Sequence, residues 1–199
     1  MTSRSQQRDD TRERILEAAA EAFAERGFRG ASTREIAARA GTNQGLITYH
    51  FKTKDTLWRA AAARIFEQLR SRLGPGLAAI AEGPPEDRAR EAVREFVRFA
   101  AAHPELFRLM VEEGKVDSER MEWLVDTHLR PLFENFKRFS LRGSGISDAE
   151  GAHAYYVLAG AASIIFAVAP ECRRLTGLDP TTDEAVEAHA DFVARMLVP

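Results

Sequence analysis

Apolar residues recur at three- and four-residue steps along most of this chain. From about Asp9 to Arg26 the set Ile15, Leu16, Ala19, Ala22 and Phe23 forms one stripe, which predicts a helix closed by Gly27. Two short apolar-patterned segments follow on either side of Gly41. From Thr53 onward, Leu57, Trp58, Ala61, Ile65, Phe66, Leu69 and Leu73 predict a long helix that stops near Gly74, Pro75 and Gly76. Gly83, Pro84 and Pro85 mark a break, after which Ala89, Val93, Phe96, Val97 and Ala100 share one helical face. His103 and Pro104 open a short helix through Leu106, Phe107, Met110 and Val111, interrupted at Gly114. A further helix is expected from near Ser118 toward Phe139, with Met121, Leu124, Val125, His128, Leu132, Phe133 and Phe136 on its apolar side and a bend at Pro131. A loop at Arg142 to Gly145 leads to a small-residue helix, capped by Ser147 or Asp148 and ending near Pro170. Gly177 to Thr182 reads as a loop, and Asp183 to Leu197 as the last helix. Residues 1–8 lack apolar periodicity and read as a mobile arm. The fold class expected is all-α, with abundant alanine and few β-branched runs.

The stretch from Ser32 to Lys54 has the sharpest local chemistry. Ser32 is placed to cap a helix, with Glu35 reaching back to complete a capping box. Ile36, Ala37 and Ala40 follow at helical spacing, and Gly41 supplies the left-handed residue that a tight exit requires. Asn43 then caps a second short helix. Its apolar members are Leu46, Ile47 and Phe51, which leaves Gln44, Gly45, Thr48, Tyr49 and His50 for another face or partner. Two short helices about a glycine turn fit a helix-turn-helix that puts its second helix into the DNA major groove; a helical hairpin without a DNA role has the same outline.

The ordered residues Thr33, Ile36, Ala37, Ala40, Gly41, Asn43, Gly45, Leu46, Ile47, Tyr49, His50, Phe51, Thr53, Lys54, Asp55 and Leu57 resemble the DNA-binding segment of the TetR family of transcriptional regulators. The matching pattern is T-x-x-I-A-x-x-A-G, a small cap, x-G, aliphatics, aromatics and Phe, then S/T-K-[DE]-x-L. The chain departs from it at Thr48, where an aromatic is common, and at Thr42, where an aliphatic is usual. The resemblance implies that Thr33, Tyr49, His50 and Lys54 lie near phosphates. Gln44 is the best base reader, because an amide can pair bidentately with adenine; Gly45 permits close approach, Thr48 can meet a thymine methyl, and Asn43 belongs to the same footprint as the cap. The organisation implied is a three-helix DNA-binding head over residues 1–52 and a larger helical ligand-binding and dimerisation body over 53–199.

Charge changes the picture modestly. The chain carries a formal net charge of −2, but through Arg59 the balance is +3 and beyond it −5, so a mildly basic head sits on an acidic body. A single cysteine, Cys172, excludes an intrachain disulfide and fits a cytoplasmic location. The longest run free of Asp, Glu, Lys and Arg, Gly151 to Pro170, is rich in Ala and Gly, contains His153 and reads as a buried helix rather than a membrane span. Glu150 and His153 have the spacing used in di-iron bundles but no second copy, and no phosphate-binding glycine loop, clustered Cys/His pattern or nucleophile elbow is present. No catalytic residue, metal site, cofactor or membrane partner is therefore expected.

Two tasks remain for the body. Ala159, Gly160, Ala161, Ala162 and Ser163 allow close helix approach, so this helix and the last one, through Ala159, Gly160, Ser163, Phe192 and Met196, are candidates for a homodimer interface; packing within the chain is the alternative. A pocket for a small-molecule effector is expected among Phe96, Phe99, His103, Phe107, Met110, Trp123, His128 and Tyr156, although aromatics at helical spacing also build ordinary cores. The expected function is a ligand-responsive regulator, most simply a repressor that binds a near-palindromic double-stranded DNA operator as a homodimer and leaves it when an effector binds. A ligand-independent architectural or activating dimer is the alternative.

Overall fold

A computed structural model describes residues 4–79, 84–140 and 147–198, and all of its regular elements there are helical. In order they are α1 (Arg4–Gly30), α2 (Thr33–Arg39), α3 (Gln44–Phe51), α4 (Lys54–Ala79), α5 (Pro85–Ala102), α6 (Pro104–Glu113), α7 (Glu119–Leu124), a π-helical turn (Val125–Leu129), α8 (Arg130–Ser140), α9 (Asp148–Ala167), α10 (Ala169–Thr176) and α11 (Asp183–Leu197). The loop expected at Arg142 to Gly145 lies outside the described residues.

Helix α1 begins earlier than its apolar stripe, so from Arg4 the expected arm is helical. Gly27 interrupts it with φ 65°, a backbone state that favours glycine, and the chain resumes for one short turn to Gly30. Helix α4 runs through Gly74, Pro75 and Gly76 to Ala79 instead of stopping there.

Thr53 caps α4 as its sequence suggests, its hydroxyl accepting from the Thr56 amide at 3.1 Å. The helix packs on α1 on one side and α5 on another, so it is shared between the small head and the body.

One core cluster joins head and body through Ile15, Leu16, Phe23, Ile36, Ile47, Phe51, Leu57, Trp58, Ile65 and Phe66. A second holds Val93, Val97 and Ala100 of α5 against Ala162 and Phe166 of α9 and Val193 of α11. Phe96 and Phe107 touch both clusters. Arginine–carboxylate pairs fasten the second cluster from outside: Arg94 to Asp191 at 2.8 Å and Arg98 to Glu187 at 2.7 Å, both between α5 and α11. Helix α6 is tied to α9 by Arg108, whose Nε donates to the Ala167 carbonyl at 2.8 Å, where the negative end of the α9 dipole lies.

The bend expected at Pro131 takes a specific form. Pro131 has no amide hydrogen and its ring crowds the carbonyl one turn back, so regular α bonding does not continue through it. The chain widens into the π turn Val125–Leu129 just before it. Ser147 caps α9 with a complete box, its hydroxyl accepting from the Glu150 amide at 3.3 Å while its own amide donates to the Glu150 carboxylate at 2.8 Å. Glu150 thus has a structural partner, and the described residues contain no cluster of three or more metal-ligating side chains.

The helix begun at Asp148 ends at Ala167, and a separate helix, α10, absent from the expectations above, continues at 76° to it around Pro170. No single helix among the described residues is long and apolar enough to cross a membrane.

Candidate nucleic-acid interface

Helices α2 and α3 are each held by one local bond at the start. Ser32 accepts from the Glu35 amide at 3.1 Å, and Asn43 Oδ1 accepts from the Leu46 amide at 3.0 Å. The box expected at Ser32 is only half formed, because the Glu35 carboxylate turns to Arg39 at 2.8 Å and Arg26 at 3.1 Å. Two guanidiniums outcompete a single amide for that charge. Gly41 takes φ 60° in the turn, and a Cβ there would lie 3.5 Å from an Arg14 nitrogen, so the constraint is conformational rather than spatial.

Helix α3 buries Ile47 and Phe51 and turns Gln44, Gly45, Thr48 and Tyr49 outward. Leu46, expected inside, is 38% exposed: an eight-residue helix has room for one narrow buried edge, and Ile47 and Phe51 occupy it.

The outward residues have distinct local partners. Gln44 Nε2 donates to Thr33 Oγ1 at 3.0 Å, joining the two helices. One amide hydrogen is engaged there; the other and the Oε1 acceptor remain available. Thr48 Oγ1 donates back to the Gln44 carbonyl at 3.2 Å. Tyr49 is 62% exposed and meets the His50 ring edge-on at 5.1 Å. His50 is half-buried, and burial first, then the nearby Arg12 and Arg8, hold its pKa below the usual imidazole range.

Lys54 turns away from that outward face. Its Nζ lies 4.8 Å from the Phe28 ring centroid, and Arg120 of α7 lies 3.9 Å from the same centroid. Burial, followed by the Arg120 charge, lowers the Lys54 pKa. Phe28, expected to pack beneath the motif, stacks on Phe23 at 6.0 Å and so connects the head to α7. Two basic residues inside the motif have no role assigned from the sequence. Arg34 in the first turn of α2 and Lys52 after α3 are exposed and have no acidic partner among the described residues, unlike Arg26, Arg39 and Arg64. Position within the motif was their only signal, and sequence does not distinguish unpaired cations from paired ones.

In the body, the candidate pocket residues divide into two aromatic groups. Phe96 meets Phe107 edge-on at 5.9 Å, and the fully buried Phe99 lies 4.6 Å from His103, whose Nδ1 is 3.0 Å from Glu105. Met110 packs against the first core cluster. Trp123 and His128 form the second group with Trp58 and Phe66 of α4. Tyr156 joins neither group and is 75% exposed on the outside of α9; its neighbour Tyr155 turns inward onto Phe133 and Phe136.

The outer face of α9 carries Tyr156, Val157, Gly160 and Ile164, with exposed Val168 just past its end, next to exposed Phe192 and Met196 on α11. Ala159 is half-buried. Ser163, expected on that face, is buried instead, its hydroxyl donating to the Ala159 carbonyl at 2.6 Å.

Comparison with known proteins points to one family. Residues 15–61 match the profile described as bacterial regulatory proteins, tetR family. Over 114 residues the chain is 33% identical to the HTH-type transcriptional repressor NicS of Pseudomonas putida, covering 56% of this chain and 51% of that protein. The chain spans about half the length of the curated relatives it matches.

Solved structures extend the likeness over nearly the whole fold. A TetR-like transcriptional regulator from Rhodococcus sp. RHA1 aligns with a TM-score of 0.67 and 21% identity over 99% of this chain and 96% of that one. AibR, solved in complex with isovaleryl coenzyme A and operator DNA, aligns with a TM-score of 0.71 and 18% identity over 95% and 98%. At these identities the likeness is one of fold.

Proposed function

We propose that this chain, which belongs to the tetR family of bacterial regulatory proteins, is a cytoplasmic repressor that binds a near-palindromic operator as a homodimer and is released by a small molecule. The observation that carries the reading is α3, which offers Gln44, Gly45, Thr48 and Tyr49 outward from a base fixed by Ile47 and Phe51. That surface suits insertion into a major groove, with Gln44 at the leading end of the helix. Thr33, His50, Lys54, Arg34 and Lys52 are assigned to phosphates, and Asn43 sets the angle of entry.

The apolar stripe on α9 and α11 supports pairing across a two-fold axis, which would put two recognition helices about one DNA turn, ~34 Å, apart. The two aromatic groups in the body support effector binding beside α4, the helix that begins directly behind the head. An effector acts by preferring the arrangement that does not fit DNA, and a coupling of about 1–3 kcal/mol suffices.

The test is binding to DNA flanking the protein's own coding region, followed over a range of salt and then in the presence of hydrophobic compounds. A selected site with two inverted halves, released by at least one compound that stabilises the protein, is the expected result. Binding unmoved by every stabilising compound would place the chain with ligand-independent DNA-binding dimers. Lys54→Ala is expected to weaken binding and to reduce the salt slope by about one ion per head, since a phosphate contact acts on all sequences alike. An unchanged slope would remove Lys54 from the footprint.

Thr33→Val tests how the base reader is held. The substitution keeps the shape of the side chain and removes the hydroxyl that receives the Gln44 amide. Selection from random DNA is expected to return the same half-site with relaxed preference at the position that Gln44→Ala also relaxes, and Thr33→Ser is expected to restore it. Uniform weakening without relaxation would leave Thr33 with a phosphate role alone.

A further inference from the structure

Among the described residues two buried ring nitrogens in the body have no hydrogen-bond partner, Trp58 Nε1 and His128 Nε2; the side-chain carbonyl oxygen of Gln68 on α4 is the other buried side-chain atom left without one. Trp58 is fully buried and His128 is 3% exposed. The proton on Nε2 follows from the other side of the ring: Nδ1 lies 3.4 Å from Arg70 Nη1, which only donates, so Nδ1 accepts and the neutral ring carries its hydrogen on Nε2. Burial first, then the Arg70 charge, holds the His128 pKa below its usual range, in keeping with a neutral ring.

Both rings border one side chain. Trp123 lies edge-on to Trp58 at 5.9 Å and to His128 at 5.0 Å, while the His128 ring stacks on Phe66 at 4.6 Å and 3°. A buried donor left unpaired forfeits its bonds to water without replacing them, so two on rings that flank one side chain are a large local concession. They also occur where the backbone is unusual, since His128 belongs to the π turn Val125–Leu129, a distortion that concentrates at functional sites.

The surrounding charges narrow the chemistry further. Arg59 lies 5.0 Å from the Trp123 ring, Arg120 lies 5.6 Å from the Trp58 ring, and Arg70 touches His128. Each of these guanidiniums already has a carboxylate: Asp55 at 2.8 Å, Glu113 at 3.1 Å and Glu67 at 2.6 Å respectively. The site therefore offers hydrogens to an oxygen but no spare countercharge for an anion, and its cations repel an amine.

We propose that Trp58 Nε1 and His128 Nε2 receive the carbonyl oxygen of an uncharged, largely apolar effector that packs against Trp123 and Phe66. This assignment rests on the effector reading above and names the ligand class.

Both tryptophans of the chain stand at this site, so intrinsic fluorescence reports on it directly. The experiment titrates the full-length protein with acetophenone, ethylbenzene, 1-phenylethylamine and benzoate, with thermal shift and DNA release as parallel readouts. Acetophenone is expected to change the fluorescence and bind about ten-fold more tightly than the other three, the size of one good hydrogen bond to a buried donor. His128→Phe keeps a ring against Phe66 and removes one of the two donors; it is expected to reduce that preference to what Trp58 Nε1 alone supplies and leave ethylbenzene binding unchanged. His128→Gln, which retains a donor, is expected to keep more of the preference, and circular dichroism checks that both variants fold.

Equal binding of acetophenone and ethylbenzene, a preference untouched by His128→Phe, or no fluorescence response to any compound overturns the proposal. Binding that depends on His128 but leaves DNA bound upholds the site and overturns the repressor-release reading. DNA release that does not depend on His128 does the reverse.

Discussion

Ile164→Glu is expected to leave the single chain folded and to weaken operator binding by about 100-fold or more, the scale of an avidity lost when two binding modules are no longer linked. Ile164 is 53% exposed on the outer stripe of α9, one turn beyond Gly160, and belongs to neither core cluster. A carboxylate is therefore tolerated in the monomer. In a two-fold dimer the same substitution appears twice, and each carboxylate has to be desolvated at an apolar contact, opposite or near its own copy. Pairing then fails. Each head is left to bind one half-site alone. Sedimentation measures the mass, circular dichroism the fold and DNA titration the affinity. A variant that stays dimeric and binds normally would move the interface elsewhere on the body.

Trp58→Ala is the largest expected loss of stability, about 3–5 kcal/mol, with a fall in melting temperature of roughly 10 °C. Trp58 is fully buried at the junction of the head with the body, among the side chains of α1 and α4 and edge-on to Trp123. Its removal leaves a cavity that helices on both sides cannot close together. Trp58→Phe provides the control. It loses apolar area but also removes the indole N–H that has no acceptor among the described residues, and these effects oppose one another. Its cost is expected to be about 1 kcal/mol, read by the same thermal melt. Equal losses for the two variants would mean that a smaller ring recovers nothing and that the indole itself, not the volume it fills, sets the stability here.

Most of the head was legible in the sequence because its signals are local. Ser32, Asn43 and Gly41 act within three or four residues of themselves, and each performs the expected backbone task. Where a side chain had a choice of distant partners, the sequence was silent. Glu35 takes two arginines in preference to the Ser32 amide, and Lys54 lies over a ring contributed by another helix.

Helix phase was the other limit. From Gly151 to Ala169 nearly every position is small or apolar, so no stripe distinguishes inside from outside. The contacts with α5, α6 and α11 decide the matter, burying Ala162, Ser163 and Phe166 and leaving Tyr156 and Ile164 out. For the same reason the bend before Pro170 hid a separate helix, because an apolar run does not announce its change of direction. Pro131 did announce a distortion, but whether the chain would kink or widen into a π turn depends on what α4 offers it, namely the flat face of Phe66 for His128.

The Phe28 ring has a consequence for how tightly DNA can be held. Lys54 and Arg120 share it, and an ammonium can occupy only one place at a time. In the proposed operator complex Lys54 leaves the ring for a phosphate, forgoing a contact of about 1 kcal/mol. Ring and DNA are thus competitors for one cation. If Lys54 makes that contact, any shift of α7 that repositions Arg120 would change how well Phe28 retains Lys54, and by thermodynamic reciprocity DNA would change the equilibrium of α7 by the same factor. The operator would then be sensed at Arg120, a residue far along the sequence from the helices that read it.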